Sequence, residues 1–118
     1  MHLSLNTLHE GNLGQATHIG LMGLPGEGEY AEIQLEVEDG IVMAARFQTY
    51  TCPVARASCE LVCRIIEEKS LNIATQMTGN DVTLLLKGLP EGKKHLPFMV
   101  CSALRSAVSR GRIEANTK

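Results

Sequence analysis

Hydrophobic and polar residues alternate from Glu29 to about Tyr50, which is the period of a β-strand with one face on a core. Asp39-Gly40 interrupts the alternation and is a residue pair that two-residue hairpin turns favour. The pattern predicts an antiparallel hairpin over 29–38 and 41–50. On the first strand the predicted core face holds Ala31, Ile33, Leu35 and Val37, and on the second it holds Ile41, Met43, Ala45 and Phe47.

After Tyr50 the apolar positions follow a helical spacing instead. Pro53 suits the first position of a helix, because its missing N–H would have no partner there, and this places Cys52 at the N-cap. We expect a helix near 53–68 and a last helix over 97–110. Ser70 and Asn80 are the expected caps of two shorter helices, over 71–77 and 81–87.

The segment 10–29 contains six of the eleven glycines, a density that predicts a long flexible loop. A meander of strands followed by helices is typical of an α+β layer fold. We therefore expect a small antiparallel sheet, of three strands or so, with helices packed on one face. The length of 118 residues predicts a single domain over 1–118.

The bulk composition narrows the classes of function. The net charge of −2 disfavours a nucleic-acid partner, which normally meets a basic surface. No apolar stretch approaches the roughly 20 residues of a membrane span, and the N-terminus lacks the pattern of a secretory signal. We therefore expect no membrane association and a cytoplasmic protein, whose thiols are kept reduced.

The four cysteines have spacings of x6, x3 and x37, which include no C-x2-C pair of a zinc knuckle. Cys59 and Cys63 fall on the apolar stripe of the predicted first helix, and Cys101 shares a helix face with Leu104, so core packing is expected for all three. Cys52 stands where a strand gives way to a helix. A helix N-terminus lowers the pKa of a thiol, so Cys52 is either a reactive thiol or a simple buried N-cap residue.

Three segments, in order, resemble the NifU/IscU-type iron–sulfur cluster scaffolds. ARFQTYTCPVARASC at 45–59 resembles the family's F-x-T-Y/F-G-C strand end and the A-x-A-S helix that follows. NLGQATHIGLMGLPGEGEYAEIQLEV at 12–37 looks like its N-x-G start, glycine loop and first long strand. GLPEGKKHLPFMVCSALRSAV at 88–108 looks like its L-P-x-x-K-x-H-C-S turn and final helix. The resemblance runs almost without gaps over 9–110.

The resemblance implies a site made of Glu27, Glu29, Cys52 and His95. In the family three cysteines hold the cluster, helped by an aspartate and a histidine. Here Glu27 stands at the first cysteine, Glu29 at the aspartate and Cys52 at the second cysteine. His95 is retained, and Leu96 replaces the third cysteine. Thiolates normally ligate iron–sulfur clusters, whereas a mixed Glu, Cys and His set suits Zn²⁺ or mononuclear Fe²⁺.

The function that the resemblance implies is iron–sulfur cluster assembly, without enzymatic activity, by a divergent scaffold. Such a protein would bind iron, an iron–sulfur cluster or zinc, or would accept sulfur through Cys52. The implied partners are a cysteine desulfurase or other iron–sulfur assembly proteins. Two alternatives remain open: a non-assembling relative that binds partners of that machinery, and a zinc protein or small enzyme that pairs Cys52 with His95.

Overall fold

The computed structural model describes residues 7–110, which form a three-stranded antiparallel sheet in the order β1-β2-β3 with helices packed against it. This confirms the predicted α+β class. The strands are β1 (His18–Gly23), β2 (Tyr30–Glu38) and β3 (Ile41–Thr49). The helices are α1 (Pro53–Ile66), α2 (Leu71–Gln76), α3 (Gly79–Leu86) and α4 (Leu96–Arg110). None of the helices within 7–110 is long and apolar enough to cross a membrane.

The glycine-rich segment is not a continuous loop, because its middle forms β1 at the edge of the sheet. Gly20 pairs with Ile33 of β2, and α4 lies across it so closely that a Cβ on Gly20 would overlap the backbone of Ala103 and Ala107. The prediction of a loop over 10–29 was therefore wrong for 18–23. At this position the role of glycine is to let two backbones approach closely, and not to make the chain flexible.

The hairpin forms as predicted, with positive φ angles of 53° at Asp39 and 77° at Gly40. Its register shifts within the ladder: Ala44 lies opposite Glu36, but Val42 lies opposite Val37, which leaves Met43 as an extra residue. A bulge of this kind reverses the inward and outward positions on the bulged strand. Val42 is consequently buried, and the predicted core positions of Ile41 and Met43 were wrong, since these side chains are 37% and 47% exposed.

The predicted long helices are confirmed, although α1 ends at Ile66 and α4 begins at Leu96. Ser70 is the N-cap of α2, as expected. The expected cap at Asn80 was wrong, because the N-cap of α3 is Thr78. The hydroxyl of Thr78 accepts from the Asp81 N–H while the Asp81 carboxylate accepts from the Thr78 N–H. This reciprocal pair satisfies two backbone donors, so α3 starts two residues earlier than predicted.

Residues 9–11 cover part of the outer edge of β3 and connect it to α1. The Phe47 N–H donates to the His9 carbonyl, and the Gly11 N–H donates to the Phe47 carbonyl, both at 2.9 Å. The His9 ring contacts Glu60 at 2.6 Å and Glu67 at 2.8 Å. Glu60 is only 4% exposed, and these partners compensate the cost of burying its charge. The cluster thus fixes α1, and with it Cys52, against the sheet.

The cluster makes the fold sensitive to acid. Burial raises the pKa of the Glu60 carboxyl, but the His9 N–H, Arg64 and the His9 ring together lower it below its ordinary value. A carboxyl with a depressed pKa in the folded state stabilises the fold above its unfolded pKa, about 4.3, and this contribution is lost as the pH falls. We expect Glu60→Gln to flatten the decline in free energy of unfolding below about pH 5, measured by urea unfolding at several pH values.

Glu32→Gln is the matched control for that measurement, because Glu32 makes no side-chain hydrogen bond or ion pair within 7–110. The free energy of unfolding of Glu32→Gln should decline at low pH as steeply as that of the unmodified chain. An equally steep decline in Glu60→Gln would contradict the assignment.

The contact at Gly20 predicts a second stability effect. Gly20→Ala forces β1 and α4 apart and should lower the free energy of unfolding by about 1–3 kcal/mol, the usual cost of overpacking. Gly14→Ala is the control, since a Cβ at Gly14 meets nothing within 4 Å and the position has no positive φ. Urea denaturation of both variants measures the difference, and equal stability of the two would refute the role given to Gly20.

Candidate functional site

Cys52 lies at the end of β3, where the chain turns into α1. It is the N-cap of α1, in an extended conformation, and Pro53 occupies the first helical turn. The Cys52 carbonyl accepts the first helical hydrogen bond, from the Arg56 N–H at 2.9 Å. The unpaired N–H groups of the first turn are therefore close to the Cys52 side chain, as the position in the sequence predicted.

The surroundings of Cys52 favour its thiolate form. Burial raises the pKa of the thiol, but the Ala55 N–H, the Tyr50 hydroxyl, the Val54 N–H and the charge of Lys93 together outweigh it, and the pKa is lowered below its ordinary value. In the structure the Cys52 side chain makes no capping hydrogen bond, and the Tyr50 hydroxyl has no hydrogen-bond partner among the described residues. These nearby donors therefore act on the charged thiolate, because a hydrogen bond to a charged form stabilises that form. Cys52 is thus more acidic than an ordinary cysteine although it is 3% exposed.

The other three cysteines have the opposite character. Cys59, Cys63 and Cys101 are fully buried free thiols, which confirms the core packing predicted for them. Burial raises the pKa of all three, to about 11 for Cys101 and higher for the other two. A buried thiol that stays protonated is inert, so Cys52 alone among the four combines acidity with a position at a helix end.

Tyr50 is part of the site, and the sequence reasoning gave it no role. Burial raises the pKa of Tyr50 far above its ordinary value, with the nearby Cys52 thiol and Glu29 carboxylate adding to the effect. The signal that could have identified it is its spacing: residues i and i+2 of an extended chain point the same way, so an aromatic hydroxyl two residues before a cysteine lies beside it.

Glu29 and His95 meet on the outer side of the site. Their Oε1 and Nε2 atoms are 2.8 Å apart, although the residues are 66 positions apart in the chain. Glu29 directly precedes β2, and His95 directly precedes α4, so the pair ties one end of the sheet to the start of the last helix. Both side chains are about half exposed.

A small apolar cluster surrounds the Cys52 side chain, separate from the main core. Leu96 is fully buried there, and Tyr50, Leu89 and Met99 pack against it. Leu96 occupies the position where the resemblance implies a third cysteine. The side chain at this position is therefore directed into the apolar surroundings of Cys52, and it offers no donor atom.

Comparison with known proteins supports the resemblance along most of the chain. The family model described as "NifU-like N terminal domain" matches residues 1–116. The chain belongs to this family. It is 35% identical over 91 residues to the iron-sulfur cluster assembly scaffold protein IscU of Escherichia coli. This alignment covers 76% of this chain and 70% of that protein. It is 33% identical over 90 residues to iron sulfur cluster assembly protein 1 of Trachipleistophora hominis. This alignment covers 76% of this chain but only 64% of the relative's length.

Solved structures show the same fold at low sequence identity. A nitrogen-fixing NifU-like protein (N-terminal) from Brucella abortus superimposes with a TM-score of 0.67 at 15% identity, covering 95% of this chain and 89% of that one. A putative scaffold protein for the SUF system from Fervidobacterium islandicum gives a TM-score of 0.66 at 12% identity, covering 86% and 88%. The fold of the NifU-like family is therefore established for this chain.

The four site residues implied by the resemblance are only partly brought together. Glu29 contacts His95, and Cys52 lies in the adjoining cluster with Lys93 close by. Glu27 is exposed in the loop before β2, where its N–H donates to the Leu24 carbonyl at 3.0 Å. Within 7–110 no group of three or more His, Cys, Asp or Glu side chains is arranged to hold a metal ion. A four-residue metal site in this NifU-like domain therefore stays a prediction.

The position of Tyr50 predicts a change in the acidity of Cys52. Tyr50→Phe removes a hydroxyl that stabilises the thiolate, so the pKa of Cys52 should rise and its alkylation should begin at higher pH. The pH profile of iodoacetamide labelling at Cys52, read by mass spectrometry, measures this shift. Tyr30→Phe, which alters the other tyrosine of the chain, serves as the control and should leave the profile in place. Coincident profiles for Tyr50→Phe and the unmodified chain would exclude the interaction.

Proposed function

We propose that this NifU-like domain serves iron–sulfur cluster assembly as a divergent scaffold that works through Cys52 as its one reactive thiol. The observation that carries the proposal is the contrast among the four cysteines. Cys52 is an acidic thiol at a helix N-terminus, whereas burial keeps the other three protonated. The process, iron–sulfur cluster assembly, is inferred from the family membership and from the two relatives described above, which are both named as cluster assembly proteins.

The chemistry proposed for Cys52 is acceptance of sulfur from a donor persulfide. Its thiolate would attack the terminal sulfur of the donor, forming an S–S bond at Cys52 while the S–S bond of the donor breaks. The donor cysteine leaves as a thiolate, so the step needs no oxidant. A cysteine desulfurase is the partner proposed for this step, and no catalytic activity of the chain's own is required.

Cluster binding itself is the step that this chain is least suited to perform. The cargo of a scaffold is a cluster normally ligated by thiolates, and only Cys52 among the implied ligand positions has a thiol. Leu96 fills the adjoining position with an apolar side chain that is fully buried. We infer that the unmodified domain passes sulfur or iron onward rather than holding a finished cluster.

A single Fe²⁺ or Zn²⁺ ion remains a proposed ligand of Glu27, Glu29, Cys52 and His95. The mixed donor set suits either ion. Binding through Glu29 Oε1 and His95 Nε2 would require the pair to separate, because these two atoms now contact each other at 2.8 Å. It would also require Cys52 to leave its apolar surroundings and Glu27 to move in from the loop.

Reconstitution tests the proposal. Purified protein incubated with Fe²⁺ and sulfide should hold no stable 2Fe–2S cluster, judged by visible absorption and by iron and acid-labile sulfide content. Glu27→Cys combined with Leu96→Cys should recover cluster binding, because it returns thiolates to both altered positions. Adding Cys52→Ser to that double variant is the control, and it should remove the cluster again.

Two results would decide against the proposal. A robust cluster in the unmodified chain would mean that other ligands complete the site. Failure of the double variant to gain any cluster would mean that the loops no longer support a scaffold, and the partner-binding alternative would then account better for the fold.

A further inference from the structure

The thiol with the most reactive environment in this domain is also hidden from reagents. Cys52 has the lowered pKa and the helix N-terminus that favour nucleophilic chemistry, yet only 3% of it is exposed. A sulfur donor or a metal ion must approach the sulfur atom closely to react with it or bind it. In the structure as it stands, access to Cys52 is therefore closed.

Part of the apolar cluster around Cys52 comes from its own neighbours, Tyr50, Val54 and Ala55, and the other part comes from a distant segment of the chain. Leu96, the first residue of α4, is fully buried in the apolar cluster around Cys52, and Leu89 and Met99 pack against the same cluster. These side chains belong to the segment that enters α4 and to its first turn, whereas Cys52 directly precedes α1. Movement of the start of α4 would thus open the distant side of the cluster without disturbing α1.

The hydrogen bond between Glu29 and His95 lies next to that distant side of the cluster. His95 directly precedes Leu96, and its contact with Glu29 at 2.8 Å fixes the backbone next to Leu96 to the start of β2. The pair is half exposed and shares no residue with another ion pair within 7–110, and the neighbouring Lys94–Glu91 pair at 3.3 Å lies wholly inside the segment 88–95. Such a contact contributes a modest stabilisation and can be broken and remade readily.

The segment before α4 is suited to local movement, whereas the rest of α4 is not. Residues 88–95 form no helix or strand, include positive φ angles at Gly88 and Gly92, and are mostly exposed. In contrast, Ala103, Leu104 and Ala107 are fully buried, and α4 packs tightly on β1 at Gly20. Exposed segments with few buried contacts open at a lower free energy than the core does.

We propose that Cys52 is a masked thiol, uncovered by a local opening in which the Glu29–His95 pair separates and Leu96 withdraws with residues 88–95. The main core, including the other three cysteines, stays folded during this opening. The inference concerns access to Cys52 and goes beyond the proposed function, because it holds whichever donor or ion reaches the sulfur.

Native-state thiol labelling tests this opening. The intact chain is treated with iodoacetamide in increasing urea below the unfolding transition, and labelling of each cysteine is read by mass spectrometry. Labelling of Cys52 should depend weakly on urea, because a local opening exposes little surface. Labelling of Cys59, Cys63 and Cys101 should rise steeply, because only global unfolding exposes them.

Two pairs of variants identify the parts of the mask. Leu96→Ala should raise the rate of Cys52 labelling without urea by about tenfold or more, since it removes packing that the local opening breaks. Leu104→Ala, an equally buried leucine of α4 in the main core, should leave the Cys52 rate unchanged while it speeds labelling of Cys101, because its packing survives the local opening and is lost only in global unfolding. Glu29→Ala should raise the Cys52 rate about two- to fivefold, and Glu32→Ala on the same sheet should not change it.

The proposal is overturned if Cys52 shares the urea dependence of the other cysteines, since its exposure would then require global unfolding. It is overturned equally if neither Leu96→Ala nor Glu29→Ala raises the rate of Cys52 labelling, or if Leu104→Ala raises it as much as it raises the rate at Cys101. These outcomes can be told apart from a failed reconstitution, because the labelling experiment contains neither iron nor sulfide.

Discussion

The close contact of β1 with α4 at Gly20 is the constraint on which the arrangement of this domain depends. A side chain at this position would collide with the backbone of Ala103 and Ala107. The short distance between sheet and helix is therefore possible because Gly20 has no side chain. Because α4 runs as one continuous helix from Leu96 to Arg110, its seating on β1 also determines where its first turn lies in the closed structure. That first turn carries Leu96 over Cys52 and brings His95 to Glu29. A packing contact in the core thereby shapes the candidate site at the end of the domain.

The site itself shows how burial and local hydrogen bonding compete. All four cysteines are buried, and burial alone raises the pKa of a thiol. Only at Cys52 is this opposed by backbone N–H groups of a helix end, by a tyrosine hydroxyl and by a lysine charge. The result is one thiol with nucleophilic character among three that fill the core. A single reactive thiol is compatible with sulfur transfer, whereas it falls short of the ligand set that a cluster usually needs.

The replacements at Glu27 and Leu96 have different structural consequences. Glu27 lies in an exposed loop, where a change from thiol to carboxylate disturbs no packing. Leu96 is fully buried and forms part of the apolar surroundings of Cys52. The resemblance implies a ligand at this second position, where the structure has an apolar side chain. The same side chain therefore accounts for the departure from the family pattern and for the proposed masking of Cys52.

The sequence by itself determined the hairpin at Asp39-Gly40, the start of α1 at Pro53, the long final helix and the distinction between Cys52 and the other cysteines. These follow from short-range signals: alternation, turn residues, helical spacing and the position of a thiol at a helix end. Tertiary structure alone decided that Gly20 belongs to a strand, because close packing against α4, not local preference, makes glycine suitable there. It also decided the bulge that turns Ile41 and Met43 outward, and the direct contact of Glu29 with His95 at 2.8 Å, which the resemblance had placed only in a common site. Such features depend on which distant segments meet, and no local pattern in the chain encodes that.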